Sequence, residues 1–200
     1  MQRAPGALTA VVAFGLVAAG AAAGGTAMLS SSDDPRTPPL RSGEVVLAVG
    51  EDRLGGPWRL TAHPSEAIVA DGEEIQPAGL PCLQFVLLQP RGNGFAGNGQ
   101  CGTRDDGFMV MGVHVEDNRG HAGVILWGTV PECASGVQLT AIGRQATRAA
   151  TIDGPTAYEG DVWVMPASAD MDGARVDWLD AYDNPAGHSR EVGSIIARGG

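Results

Sequence analysis

Short runs of Val, Ile, Leu and aromatic residues recur along this chain, and glycine, proline, asparagine or aspartate closes each before a helical face can develop. EVVLAVG (44–50), PWRLTAH (57–63) and CLQFVLLQ (82–89) come first. GFMVMGVHVE (107–116) and HAGVILWGTV (121–130) follow, joined by the turn-forming DNRG. GVQLTAIG (136–143), RQATRAATI (144–152), DVWVMPA (161–167) and ARVDWLDAYD (174–183) complete the set. This pattern predicts an all-β fold of about nine short strands, an antiparallel sandwich on the immunoglobulin-like plan. The 30 glycines and 13 prolines suit the many turns such a fold needs. PSEAIVADGEE (64–74) is the best candidate for a short helix, and Gly72 limits it.

The N-terminal part reads as an address. Arg3 is the only charge before Asp33, and residues 7–29 are uncharged and apolar. A basic start, an apolar stretch from Leu8 to Ala19 and a small-residue site at 21–23 predict a signal peptide or a single transmembrane anchor over 1–29. SSSDDPRTPPLRSG (30–43) reads as a Pro/Ser-rich linker, leaving 44–198 as one extracellular domain. The expected location is the outer face of the cytoplasmic membrane or the medium, with membrane contact only through an uncleaved N-terminal segment.

Charge excludes some partners. The net charge is −10, all 13 basic residues are Arg, and no basic stripe exists to displace counterions from a nucleic acid. The acidity suits solubility outside the cell.

Three cysteines lie in the exported part, where oxidation is expected. Cys82 and Cys101 bracket a glycine-rich stretch and would face one another at the base of a hairpin, leaving Cys133 free; Cys101–Cys133 is the other pairing. Inside the bracket, GNGFAG (92–97) is a literal G-x-G-x-x-G. A dinucleotide fingerprint needs a helix opening at the third glycine, and NGQCGTRDDG after Gly97 is turn-rich instead. The motif therefore predicts a hairpin tip.

The succession GGPWRL (55–60), Cys82 and Cys101 in LPC…QCG, WGTVP (127–131), VWVMP (162–166) and VDWLDAYDNPAG (176–187) resembles uncharacterised exported β-rich proteins of actinobacteria. The resemblance implies a fold and a compartment and carries no catalytic residues.

Several groups in the sequence have chemical potential. His114, Glu116 and His121 could meet as a zinc set, two on one face of a strand and the third opposite. Asp170 and Asp172 before Gly173 form a fragment of a calcium loop without its distal Glu. Ser135 and Ser189 stand outside any G-x-S-x-G, and His188 is only a sequence neighbour of Ser189. Trp58, Trp127, Trp163 and Trp178 fall in predicted strands and read as core. No catalytic residue and no cofactor is assigned. The reading is a non-enzymatic exported envelope protein, a disulfide-stapled sandwich that binds an envelope protein or ligand. The alternatives are an exported metal-dependent enzyme at His114, Glu116 and His121, or an extracellular sensor acting on a membrane partner.

Overall fold

Strand β8 (Ala122–Pro131) has almost no polar face: from Gly123 to Val130 every residue is buried. A strand buried on both sides must lie inside a stack of layers, and β8 is the middle strand of the middle sheet. The computed structural model describes residues 40, 42–71, 73–88, 97–102, 107–117, 119–154, 160–171 and 173–196. They form thirteen strands in four antiparallel sheets and one helical turn, α1 (Gly193–Ile196).

The first sheet has the order β1 (Val45–Asp52), β2 (Gly56–Pro64), β5 (Pro81–Leu87), β6 (Gly97–Cys101). A two-stranded ribbon, β3 (Ile68–Ala70) and β4 (Glu73–Gln76), sits between β2 and β5 in the chain. The middle sheet has the order β11 (Gly160–Ser168), β8, β7 (Met109–Glu116). The last has the order β10 (Thr147–Ala150), β9 (Gly136–Thr140), β12 (Arg175–Leu179), β13 (Pro185–Glu191).

Alternation along the middle sheet sends successive residues into two separate cores. Val124, Leu126 and Val130 join Trp163 and Met165 on one face, against Val137, Leu139 and Val176 of the last sheet. Ile125 and Trp127 join Val113 and Val162 on the other, against Leu60, Leu83 and Phe85 of the first. Three layers result, with the middle sheet shared. Close approach inside it requires Gly128, where a Cβ would stand 1.8 Å from the Met109 carbonyl oxygen. Paired hydrogen bonds between Ile152 and Val162 carry the chain from the last sheet back to the middle one.

This architecture corrects the predicted one. The nine-strand, immunoglobulin-like, two-sheet sandwich is replaced by thirteen strands in four sheets, because β8 and its neighbours bury both faces. The nine apolar runs correspond to β1, β2, β5 and β7 to β12; the additional strands are β3, β4, β6 and β13. The short helix expected over 64–74 is also replaced. Ile68–Ala70 pairs antiparallel with Glu73–Gln76, and Asp71 takes a positive φ of 54° at the turn. Residues 1–39, where the apolar signal or anchor helix was predicted, lie outside the described residues. Among the described residues no helix is long and apolar enough to cross a membrane, so the predicted transmembrane or signal helix is not found there.

Double-sided burial has a measurable consequence. Leu126→Ala and Ile125→Ala open cavities in different cores, and each should cost about 2–5 kcal/mol in urea unfolding. Val45→Ala, on the exposed edge strand, should stay within about 0.5 kcal/mol of the parent.

Candidate functional site: the stapled glycine hairpin

Cys82 and Cys101 pair directly across β5 and β6, and their sulfurs form a disulfide that spans 19 positions of sequence. Between them β6 runs tight against β5. A Cβ on Gly97 would stand 2.1 Å from the Phe85 carbonyl oxygen, and one on Gly99 would stand 2.8 Å from that of Leu83. Gly97 is the third glycine of the G-x-G-x-x-G. It opens a strand, so the helix N-terminus that would face a pyrophosphate is missing at this position. The remainder of the motif, residues 92–96, lies outside the described residues.

Asn98 ties this hairpin to the middle sheet. Its Nδ2 donates to the Gly112 carbonyl at 2.8 Å, and its Oδ1 accepts from the Trp127 indole Nε1 at 2.9 Å. Trp127 is fully buried, so its N–H needs a partner, and Asn98 supplies one from the neighbouring sheet. An aromatic series runs through the same core: Trp58 stacks on Phe85 at 5.3 Å, and Phe85 stacks on Trp127 at 6.2 Å. Asn98 is not legible as a tie from the sequence, because an Asn between two glycines carries only a turn signal.

The candidate zinc ligands His114, Glu116 and His121 do not come together. His114 and Glu116 stand opposite Val124 and Ala122 in the β7–β8 register. His121 turns to Asp117, with Nδ1 2.8 Å from Oδ2, while Asp117 Oδ1 accepts the backbone N–H groups of Arg119 and His121. The hydrogen bond from the His121 side chain, with backbone hydrogen bonds beside it, lowers the Asp117 carboxyl to about 2. Among the described residues no group of three or more His, Cys, Asp or Glu is placed to hold a metal ion.

Other polar candidates hold strands or turns. Asp170 is engaged by Ser168 and Arg144, and both contacts lower its pKa, the Ser168 hydrogen bond most. Asp172, the other member of the calcium-loop fragment, lies outside the described residues. Ser135 Oγ reaches the Asp180 carbonyl oxygen at 2.7 Å and Asp183 Oδ1 at 2.8 Å, tying β9 to the β12–β13 turn. His188 stacks on Trp178 at 5.9 Å, whereas Ser189 donates to Asp177, so these neighbours project from opposite faces of β13. Arg148, Gln138, Asp177 and Ser189 occupy one row across the last sheet. Asp177, almost wholly buried there, also has Arg175 Nε 3.3 Å from its Oδ2. Cys133 is a free, exposed thiol.

No protein-family model, curated protein or solved structure matches this chain.

Replacing both Cys82 and Cys101 by Ser should lower stability by about 3 kcal/mol in chemical denaturation. Asn98→Ala should cost about 1–3 kcal/mol by orphaning the buried Trp127 indole N–H. For the turn, a carboxyl with a lowered pKa stabilises the fold above its ordinary value and loses that contribution as pH falls through the folded one. The Asp117 contribution should therefore fade from 3.8 down through about 2. In NMR titration, His121→Ala should move the Asp117 midpoint from about 2 up toward 3.8.

Proposed function

We propose that this chain is a non-enzymatic exported cell-envelope protein whose stapled β-domain works by binding. One observation carries the reading: the Cys82–Cys101 disulfide, a cross-strand bond between paired positions. Such bonds persist in oxidising compartments and are rare where thiols are kept reduced. The side chains with chemical potential support a binding role as well. Ser135, Ser189, His121 and Asp170 are each committed to a turn or a strand pair. An acidic chain of net charge −10 suits protein or small-ligand contacts at the envelope over nucleic acid.

Compartment and binding can be tested together. Because Cys133 is exposed and free, a membrane-impermeant maleimide added to intact cells should label it, with Cys82 and Cys101 recovered oxidised. Labelling that appears only after lysis overturns export. In vivo crosslinking from the envelope fraction should then capture a stoichiometric partner, and a chain that crosslinks to nothing overturns binding.

A further inference from the structure

The β3–β4 ribbon leaves the first sheet between β2 and β5 as a finger. Its base is clamped by one residue. Ser65, buried, exchanges backbone hydrogen bonds with Leu80 and Gly79, while its Oγ donates to the Pro77 carbonyl at 2.7 Å and accepts the Leu80 N–H at 3.0 Å. Beyond that clamp the ribbon has only two strands, and among the described residues no third strand pairs with either. Two-stranded ribbons are marginal in water; a third strand or a packed face ordinarily completes them.

This ribbon nonetheless presents apolar side chains to solvent. Ile68, Val69 and Ile75 are 47%, 62% and 65% exposed. Around them Glu66, Asp71, Glu73 and Glu74 are all exposed, and no Lys or Arg occurs between Arg59 and Arg91. Ile68 and Val69 follow one another on β3 and project to opposite faces, so both faces of the ribbon expose an apolar residue beside carboxylates of one sign, which specifies a partner by charge.

The pairing register selects an edge. Ile68 pairs with Gln76 and Val69 with Glu74, so Ile75 is an extra residue on β4. A bulge kinks the strand that carries it and spoils its edge for pairing, which leaves β3 as the regular edge. A second copy of this chain would bring the same four carboxylates against themselves, and an anionic bilayer would repel them as well.

We propose that the β3–β4 finger docks an extended segment of a partner protein whose apolar residues alternate with Lys or Arg, added as a third strand along β3. The segment's backbone pairs with the free edge of Ile68–Ala70, its apolar side chains lie beside Val69 on one face, and its cations, on the other face, meet the side of the ribbon that carries Glu73. This assignment rests on the binding reading above and names where that binding occurs.

The test uses the full chain and a fluorescein-labelled peptide of about nine residues, alternating valine and lysine. Saturable anisotropy is expected, and the valine–glutamate counterpart should stay silent. Val69→Ser with Ile75→Ser, and separately Glu73→Lys with Glu74→Lys, should each weaken binding roughly tenfold or more. These side chains are exposed, so circular dichroism and the disulfide should remain as in the parent. N-methylation of alternate peptide nitrogens should abolish binding by blocking the added strand. Unchanged affinity in either double variant, binding by the methylated peptide, or no binding to the parent chain overturns the assignment. Dimerisation of the parent that is lost in the serine variant would make a second copy the occupant and also overturn it. Envelope crosslinking separates this from the broader reading. Equal capture of one partner by the parent and serine-variant chains sinks the finger alone, whereas capture by neither sinks the binding reading and the finger with it.

Discussion

Because β8 is buried on both faces, the other elements are arranged around it as layers. Val124 and Leu126 anchor one core and Ile125 and Trp127 the other, so neighbouring residues on one strand hold opposite outer sheets. A strand of that kind cannot lie at a surface. It needs hydrogen-bonded neighbours on both sides, which β7 and β11 supply, and a sheet above and below. Without the shared middle sheet, each outer sheet would expose an apolar face to water.

Polar side chains then complete what the cores leave open. Asn98 fills the hydrogen-bonding need of Trp127 from the adjoining sheet, and Ser65 closes the base of the finger. Ser189 donates to Oδ1 of the buried Asp177 in the last sheet, and the Arg175 guanidinium stands 3.3 Å from Oδ2, which accepts no hydrogen bond. Asn98, Ser65, Ser189 and Arg175 are each engaged with backbone or a neighbouring side chain. The disulfide belongs to the same set, since it holds β6 at the rim of the first sheet next to Asn98. The β3–β4 ribbon, its base held by Ser65, exposes apolar and acidic side chains together.

Legibility in the sequence followed side-chain pattern. The nine apolar runs were visible because Val, Ile, Leu and aromatic residues mark a strand wherever it packs. The other strands have no such mark. GNGQC of β6 is mostly glycine and polar, and PAGHSRE of β13 is polar throughout; each is a strand because its neighbour offers an unpaired edge. IVA and the first two residues of EEIQ fall within 64–74, the best helix candidate in the sequence, since helical and extended spacing differ little over so few residues. Among candidate site residues, the spacing of Cys82 and Cys101 was readable because hairpin pairing is local. His114, Glu116 and His121 were only one alternative in the sequence, and in the structure the ring of His121 bonds to Asp117.

By itself the sequence determined local matters: where strands with packed side chains run and that no helix opens after Gly97, while it left Cys101 a choice between Cys82 and Cys133 that the structure decided. These depend on residues near one another in the chain, whose periodicity and turn chemistry act over a few positions. Only the tertiary structure decided that the sheets stack in three layers and that polar segments become edge strands. It alone also placed Asn98, Ser65 and Asp177 as the polar ties and left the β3–β4 ribbon with an open edge. Those outcomes come from contacts between residues far apart in sequence, such as Trp127 with Asn98, and the pattern of a single strand does not encode which sheet will cover its second face.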